Sequence, residues 1–521
     1  MKWAERFLPR TVNEMRTVWF RELCCYSERD VCKRLELTEE QVTRVIDRLM
    51  KNNIVRRVRN VSSSTREVLP DDMDEIFTDD EYYWAFTFVG IVILDDIVIC
   101  CYPKYLKNIR EEDRAQVFAQ IMAVIRKYEK TREQHINLAE GVVHTETHVN
   151  FLAIVMEIIE QYQKNGFYKK NEIVEEINGD GDIDWERTIN QTQTIISHGR
   201  PFYPELYTRQ YLWDDMNFFY CLHRCIVSEC FDVIENADLS AVLGINDRYH
   251  TGIYRNSLGT DEYLLRRIDQ EMSRQFVTSK QKMLQLMRLY LIKQGKHTQA
   301  QLLFYGTNIM NLVWEAACGI VVGNQLRDKV CDIGELSGKQ MQSFEAKSKS
   351  LLQLIDRPEW IFADCETGHK KDTLIPDSIR IRRNPDGNRI FSIYDAKYYN
   401  IVFCAEEVSG QPGIASITKQ YLYHLAYSDF LKHFGITTVQ NIFLFPSESG
   451  SQWLGRVTMP MLKAVTGADI YALALDASMV FKYYLEEKEL PSKDLIYQHG
   501  HTYEIPTACE YAADSIKGYY T

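Results

Sequence analysis

Two aspartates and one lysine stand on either side of a tight turn: Asp377 precedes it, and Asp395 and Lys397 follow it. The turn, Asn384 to Gly387, has the residue types that a type I turn with a glycine bulge requires. If the three residues after Asn384 form the loop, Asn384 pairs with Asn388 and Asp377 pairs with Asp395. Paired residues share a face of the sheet with Cβ atoms about 5 Å apart, and so do residues two apart on one strand. The pattern therefore predicts that two carboxylates and an ammonium cluster at one end of a face.

The remainder of that face is predicted to be apolar, with the polar residues of the first strand on the opposite face. The apolar set is Ile379, Ile381, Phe391 and Ile393, and the opposite set is Ser378, Arg380 and Arg382. Adjacent carboxylates are costly to desolvate unless a cation lies between them, and such hard oxygen ligands suit Mg²⁺. A nearby lysine can orient or deprotonate a metal-bound water and offset charge on phosphorus. These parts indicate metal-assisted phosphodiester hydrolysis; the alternative is an exposed hairpin whose Asp and Lys form ordinary salt bridges.

A further acid, Glu315, lies in the segment Asn308 to Cys318, which is predicted to be a largely buried helix. It is the only charged residue of that segment, and a buried carboxylate is costly without a positive partner. Glu315 is therefore predicted to meet a cation, either as a metal ligand or in a salt bridge with a core Arg or Lys.

A second helix is predicted over residues 417–427. Five residues fall roughly on one polar and aromatic face of it: Lys419, Gln420, Tyr423, His424 and Tyr427. That face is expected either to contact a phosphate backbone near the metal or to form a tyrosine-rich core.

The motif Pro376-Asp377, then Asp395-Ala396-Lys397, with Glu315 upstream, resembles the PD-(D/E)xK nuclease superfamily. The wider chain resembles the LlaJI family of restriction endonucleases, relatives of the McrC subunit of McrBC-type systems. The segments that carry this wider resemblance are Phe86 to Gly90, Tyr102 to Tyr105, Gly181 to Ile189, Pro201 to Tyr203 and Arg357 to Trp360.

The resemblance implies a DNA-cleaving subunit that acts with a separate McrB-like AAA+ GTPase. It implies that Asp377, Asp395, Glu315 and the Ala396 carbonyl hold Mg²⁺, for which Mn²⁺ can substitute, and that Lys397 positions the attacking water. The superfamily's QxxxY helix would place tyrosine four residues after Gln420, where this chain has His424. The roles of Gln420 and His424 are therefore left open.

The first part of the chain is predicted to be a winged helix. Ser27 begins one short helix, and Thr38 with Gln41 forms a capping box for a second helix that carries an apolar stripe. The stripe is Val42, Val45, Ile46, Leu49 and Met50, and the wing strands are predicted over 54–59 and 66–69. Basic residues expected to contact DNA are Arg44, Arg48 and Lys51 of the second helix and Arg56 and Arg57 of the wing, with Lys419 and Gln420 near the metal. Protein contact is the alternative use of such a module.

The predicted architecture is multidomain α+β: an N-terminal winged helix, a mixed α/β middle region and a C-terminal PD-(D/E)xK α/β nuclease domain. The expected boundaries are 1–69 for the winged helix, 70–81 for an acidic linker, 82–299 for the McrC-like middle region that docks the partner, and 300–521 for the nuclease domain.

Composition narrows the class of protein. The 521 residues are 45% hydrophobic and 26% charged, which are globular averages. The sequence contains no run of 18 apolar residues, so no membrane-spanning helix is predicted. The net charge of −12 is unlike that of a bulk nucleic-acid binder, although residues 1–68 hold 15 Lys and Arg against 10 Asp and Glu. The 13 cysteines lack CxxC spacing and are expected to be free thiols in a cytoplasmic protein.

The sequence thus predicts a Mg²⁺-dependent endonuclease subunit of a restriction or anti-phage system that cuts double-stranded DNA. No Walker motif occurs, so NTP hydrolysis is expected to reside in the partner, through which the chain is expected to oligomerise. The rival interpretation is a non-catalytic DNA-binding adaptor or a regulator of an NTPase.

Overall fold

The computed structural model describes residues 15–59, 82–94, 96–140, 151–169, 172–212, 218–296, 302–360, 369–370, 372–384, 386–403 and 408–496. The predicted second wing strand over 66–69 lies outside these residues. The predicted acidic linker over 70–81 lies outside them as well.

The described residues form twenty-one strands and sixteen α-helices. The strands are β1 (Arg16–Arg21), β2 (Cys25–Tyr26), β3 (Val55–Arg59), β4 (Tyr82–Phe86), β5 (Val89–Leu94), β6 (Ile97–Tyr102), β7 (Glu172–Ile177), β8 (Asp182–Ile183), β9 (Ile195–Ser197), β10 (Arg200–Phe202), β11 (Tyr207–Leu212), β12 (Leu303–Thr307), β13 (Glu359–Trp360), β14 (His369–Lys370), β15 (Ser378–Arg383), β16 (Arg389–Ala396), β17 (Val402–Phe403), β18 (Val408–Ser409), β19 (Thr438–Ser447), β20 (Gln452–Val457) and β21 (Ile470–Asp476). The helices are α1 (Glu28–Leu35), α2 (Glu39–Lys51), α3 (Arg114–Glu140), α4 (Phe151–Asn165), α5 (Trp185–Gln191), α6 (Phe218–Asn236), α7 (Ser240–Leu243), α8 (Asp261–Met272), α9 (Thr278–Lys296), α10 (Met310–Val321), α11 (Lys339–Ser343), α12 (Ile414–Ala426), α13 (Ser428–Phe434), α14 (Pro460–Thr466), α15 (Ala477–Leu485) and α16 (Ser492–Leu495).

The first large sheet has the strand order β1-β6-β5-β12. Strand β1 is parallel to β6, while β5 is antiparallel to both β6 and β12. Strands β1, β6 and β12 therefore run in one direction and end at the same edge of the sheet. Glu22 follows β1 at this edge, Lys104 lies just beyond β6, and β12 leads into α10.

Two glycines face each other in this sheet, because Gly90 of β5 pairs with Gly306 of β12. A Cβ at Gly306 would lie 2.2 Å from the Val89 carbonyl oxygen and 2.6 Å from the Gly90 Cα. The same Cβ would lie 2.6 Å from the Phe88 ring, so the ring covers the space that side chains would otherwise fill. The close approach of β5 and β12 consequently depends on glycine at both positions.

The N-terminal helices agree with the sequence prediction. The Ser27 side chain caps α1, and the Thr38 N–H donates to Gln41 Oε1 at the start of α2. The predicted stripe is buried at Val42, Val45, Ile46 and Leu49. These helices pack with a small sheet of order β2-β4-β3, in which the first predicted wing strand pairs with β4. The winged-helix assignment itself stays a prediction.

Residues 172–212, here called the arm, form an excursion from the middle region. It contains the sheet β7-β11-β8, helix α5 and the hairpin β9–β10. The sequence predicts a helical region over residues 209–236. The start of this prediction is wrong, since 207–212 form β11 and α6 begins only at Phe218. None of the arm residues 175–209 belongs to the hydrophobic cores of the described chain.

The second large sheet has the order β15-β16-β19-β21-β20, with β16, β19 and β21 parallel. Helices α10 and α15 pack on one face, and α12 and α13 pack on the other. Ile442, Leu444 and Phe481 share one continuous core with α3, α4 and the first sheet. The mixed α/β character is therefore confirmed, and β12, although it follows residue 300, belongs to the first sheet.

Two further features concern the described residues as a group. None of their helices is both long enough and apolar enough to cross a bilayer. Their cysteines are free thiols, as predicted, and most are buried, including Cys100, Cys101 and Cys230.

The glycine pair generates a stability prediction. Gly306→Ala should lower the free energy of unfolding by at least about 2 kcal/mol, because the new methyl overlaps backbone atoms that cannot swing away. Urea unfolding followed by circular dichroism measures the change. Gly334→Ala is the matched control, since its Cβ would meet nothing within 4 Å. Equal midpoints for the two variants would contradict the close approach.

Candidate active site

The hairpin β15–β16 has the register that the turn predicts. Ile379 pairs with Ile393, and Arg383 pairs with Arg389. The Asn384 N–H donates to the Asn388 carbonyl, and Gly387, at φ +82°, donates its N–H to the Asn384 carbonyl. The predicted turn residue Pro385 lies outside the described residues. Because the register is confirmed, Asp377 and Asp395 stand opposite each other at the open end of the hairpin.

The two faces of the hairpin also divide as predicted. Ile379, Ile381, Phe391 and Ile393 are buried in the core that contains α13. On the opposite face, Arg382 donates to the Val322 carbonyl and to the Tyr394 hydroxyl.

Asp377, Asp395 and Lys397 meet at the end of the apolar face. Asp377 Oδ2 accepts the Ala396 N–H at 2.8 Å, which ties the residue before β15 to the last residue of β16. Lys397 Nζ lies 2.9 Å from Asp395 Oδ1 and 5.9 Å from the centre of the Phe443 ring. The Asp395 side chain is only 7% exposed, so this ion pair is largely withdrawn from water.

The pKa of Asp377 is raised to about 8. Burial is the largest cause, followed by the negative charge of Asp395 and a hydrogen bond between the two carboxyl groups. The charge of Glu315 raises it further, whereas the Ala396 N–H lowers it. At neutral pH Asp377 is therefore the protonated partner of the pair, and a divalent cation would have to displace that proton.

Glu315 projects from α10 toward the same cluster. Burial raises the pKa of Glu315, the charge of Asp395 raises it further, and Lys397 lowers it. The helix is held in place by Trp314, whose Nε1–H donates to the Leu444 carbonyl that also accepts the Lys397 N–H. Among the described residues no Arg or Lys lies within ion-pair distance of the Glu315 carboxylate.

The sequence predicts a largely buried Glu315 helix, but the structure buries only one side of it. Leu312 is 39% exposed and Ile320 is 41% exposed, while Glu315 itself is half-buried. One side of α10 packs against the sheet through Val313, Trp314 and Ala317, and the other side is open to solvent beside the carboxylates.

Two alternatives are predicted for helix α12, and the structure shows the tyrosine-rich core helix. Gln420 is fully buried and donates to the Ile393 carbonyl at 2.9 Å, so the expectation that it contacts DNA is wrong. Tyr423 donates to the Ile375 carbonyl just before Pro376, and burial lowers the pKa of His424. Lys419 is exposed. Within the described chain, Gln420 Oε1 and His424 Nδ1 lack hydrogen-bond partners.

The predicted DNA-contacting residues of the N-terminal region lie on its surface. Arg44 and Lys51 are exposed on α2, where Arg48 is half-buried. Arg56 and Arg57 are exposed on β3, and the Arg57 guanidinium lies 5.2 Å from the centre of the Trp84 ring.

Asn324 is a site residue that sequence reasoning missed. Its side chain donates to the Asp377 carbonyl and accepts the N–H groups of Leu326 and Ile379. The next residue, Gln325, donates its N–H to the Ile379 carbonyl and accepts the Ile381 N–H at Oε1. The segment after α10 thereby covers β15 and fixes the backbone of Asp377. Its only signal in the sequence is a polar pair directly after an apolar helix.

The donor set suits a hard divalent cation with few protein ligands. In the described part of the chain no three His, Cys, Asp or Glu side chains converge as a ready ligand group. The Asp377–Asp395 pair alone meets the preference of Mg²⁺ for one or two carboxylates, with water and phosphate oxygens completing the shell. Burial is the largest cause of the raised pKa of Asp377, and the charges of Asp395 and Glu315 raise that pKa further.

The Asp377 carboxyl generates a pH prediction. The unfolding free energy should fall as pH rises from about 4 to about 8, because folded Asp377 keeps a proton that the unfolded chain has lost. Each unit of pKa difference corresponds to about 1.4 kcal/mol. Urea midpoints of the wild type and Asp377→Asn, measured in EDTA across this range, test the effect. The variant should show the flatter profile, and identical profiles would contradict the assignment.

Comparisons with known proteins identify relatives of this chain. The family model described as LlaJI restriction endonuclease matches residues 88–478. A Bacillus subtilis (strain 168) relative, the type II restriction enzyme BsuMI component YdjA, is 27% identical over 424 residues, which cover 79% of this chain and 83% of the relative.

Two solved structures from Thermococcus gammatolerans were also matched, each at 12% identity. A half-complex of McrB AAA+ hexamers with bound McrC matches with a TM-score of 0.36, covering 92% of this chain and all of that one. The McrBC complex matches with a TM-score of 0.22, covering 57% of this chain and 84% of that one. The family model matches most of this chain, and the chain therefore belongs to the LlaJI restriction endonuclease family.

Proposed function

We propose that this restriction-family chain is a Mg²⁺-dependent DNA endonuclease subunit that works with an AAA+ GTPase. The observation that carries the proposal is the meeting of Asp377, Asp395 and Lys397 at one end of a hairpin. Membership of a restriction endonuclease family supports phosphodiester hydrolysis as the reaction. A non-catalytic adaptor has no need for a desolvated acid pair that carries a proton at neutral pH.

Each group has a role in the proposed reaction. Asp377, Asp395 and the Ala396 carbonyl would hold the cation, with Glu315 contributing directly or through water. When bound, Mg²⁺, or Mn²⁺ in its place, supplies Lewis-acid polarisation of the scissile phosphate. Lys397 orients the attacking water and offsets negative charge that develops on the phosphate oxygens.

Asp377 adds a dependence on pH to this scheme. Its raised pKa means that ligation must release a proton near neutral pH. Tyr423 and Asn324 hold the backbone on either side of Asp377, through Ile375 and Ile379. These contacts fix the aspartate while it loses its proton.

DNA would be held by two basic surfaces. The first is formed by Arg44, Arg48 and Lys51 on α2 with Arg56 and Arg57 on β3, and the second contains Lys419 on α12. Exposed guanidinium and ammonium groups suit phosphate contacts, which give affinity without base recognition. Such local surfaces offset the acidic total charge of the chain.

The AAA+ partner would dock on the arm. Large apolar side chains are exposed there without belonging to any core of the described chain: Ile177, Trp185, Ile189, Ile195, Ile196 and Phe202. Ile196 is 77% exposed and Phe202 is 60% exposed. A concentration of exposed apolar groups is typical of an interaction surface. The family resemblance supports a GTPase as the occupant.

Plasmid cleavage in Mg²⁺, with and without an McrB-like AAA+ GTPase plus GTP, tests the proposed activity. Asp395→Asn and Lys397→Met should each lower the cleavage rate by at least about 100-fold, because transition-state charge loses its stabilisation. Asp386→Asn is the control, since this exposed acid lies at the far end of the same hairpin. Full cutting by both site variants would refute the assignment.

Co-purification with the GTPase tests the arm. The double variant Ile196→Asp and Phe202→Asp should lose binding of the GTPase by at least about tenfold, because charges replace apolar contact area. Val465→Asp is the control: this residue is 68% exposed but lies on α14, beside the nuclease sheet. If both proteins retain the GTPase equally, the partner docks elsewhere.

A further inference from the structure

A buried polar cluster joins the first sheet to the strand that carries Lys397. The cluster consists of Glu22, Lys104 and Tyr398, which are 5%, 6% and 6% exposed. Glu22 and Lys104 lie past the ends of the parallel strands β1 and β6. Tyr398 comes from the nuclease sheet and follows Lys397 directly in the chain.

Hydrogen bonds and a cation–π contact join the residues of the cluster. The Tyr398 hydroxyl donates to Glu22 Oε2 at 2.6 Å, and the Lys104 N–H donates to the same oxygen at 3.2 Å. Lys104 Nζ lies 4.9 Å from the centre of the Tyr398 ring, a distance typical of a cation–π contact. The Lys104 carbonyl also accepts a hydrogen bond from the Asn400 side chain at 2.9 Å. Residues of the first sheet therefore hold both Tyr398 and Asn400.

The segment they hold determines where Lys397 lies. The Lys397 N–H continues the sheet ladder by donating to the Leu444 carbonyl, and the Tyr399 N–H then turns back to the Lys397 carbonyl. The chain thus leaves β16 in a tight bend with Tyr398 at its centre. Anchoring the Tyr398 ring and hydroxyl fixes that bend, and with it the direction in which Lys397 reaches Asp395.

Stability alone does not account for such a cluster. Burying a carboxylate and an ammonium costs several kcal/mol in desolvation, and well-packed apolar residues often serve stability equally well. What the charged set adds is a fixed geometry for the groups that it contacts. A misplacement of about 1 Å at a catalytic group can lower the rate about 100-fold, so a fixed geometry has a use at this position.

We propose that Glu22, Lys104 and Tyr398 are positioning residues of the nuclease centre, which hold Lys397 at Asp395 from the first sheet. The inference rests on the proposed function for its consequence in catalysis. It extends that function by making the N-terminal body part of the active site's support. Together with β12, which leads into the Glu315 helix, the same edge of the first sheet then positions two of the groups around the acid pair.

Tyr398→Phe tests the inference, because it removes only the hydroxyl and keeps the ring between Lys104 and Tyr105. The cleavage rate kcat should fall about 10- to 100-fold, while KM for DNA and the thermal midpoint stay near wild-type values. Tyr105→Phe is the matched control. The Tyr105 ring packs against Tyr398 at 6.3 Å, and its hydroxyl has no hydrogen-bond partner among the described residues. The cleavage rate of Tyr105→Phe should remain within about twofold of the wild-type rate.

A second pair of variants tests Glu22, which accepts the hydrogen bond from the Tyr398 hydroxyl. Glu22→Gln keeps an oxygen for the Tyr398 hydroxyl and should retain more activity than Glu22→Ala, even where the two have equal thermal midpoints. If activity instead follows the thermal midpoint across all four variants, the cluster is only structural and the inference is wrong.

A readout without cleavage separates this inference from the proposed function. Lysines carrying ¹³C-dimethyl groups give NMR signals, and the Lys397 signal is assigned from its loss in Lys397→Arg. Tyr398→Phe should shift or broaden this signal, whereas Tyr105→Phe should leave it unchanged. If the wild type never cuts DNA but the Lys397 signal shifts in Tyr398→Phe, the nuclease proposal is refuted and the positioning contact stands. If the wild type cuts DNA but the Lys397 signal is unchanged in Tyr398→Phe, only the positioning inference is refuted.

Discussion

Electrostatic repulsion between two neighbouring carboxyl groups is the constraint on which the candidate active site depends. The hairpin brings Asp377 against Asp395 in a site where water cannot screen them. The protein resolves the conflict in two ways, by leaving a proton on Asp377 and by placing the Lys397 ammonium on Asp395. Under the proposed function, a divalent cation would replace the proton and free the ammonium to face the substrate. The charge arrangement that the proposed phosphodiester hydrolysis needs is therefore already present without metal or substrate.

Rigid surroundings keep that arrangement from relaxing. Trp314 ties the Glu315 helix to the Leu444 carbonyl, Tyr423 ties α12 to the chain just before Pro376, and Asn324 brackets the Asp377 backbone. Each contact uses a side chain on one element and a backbone group on another. The carboxylates consequently cannot separate without breaking hydrogen bonds in several elements at once. A shared apolar core extends this support into the first body of the chain.

Sequence reasoning succeeded where local chemistry decides the structure. The register of β15 and β16 follows from the residues of one turn, so Asp377 and Asp395 could be paired without coordinates. The cap at Ser27 is local in the same sense. Errors arose where distant segments decide: β11 is a strand because β7 pairs with it, and Gln420 is buried because its helix lies on β16. The contact of Glu22 with Tyr398 joins residues far apart in the chain and has no local signature at all.

The covering of β15 by the segment after α10 has a consequence for self-association. An outermost strand normally presents a row of free amide and carbonyl groups, onto which a second protein chain can add a strand of its own. Gln325 engages the Ile379 carbonyl with its main chain and the Ile381 amide with its side chain. The opposite border, β20, is interrupted by a bulge between Trp453 and Gly455. Both borders of this sheet therefore discourage copies of the chain from joining their sheets into one ribbon.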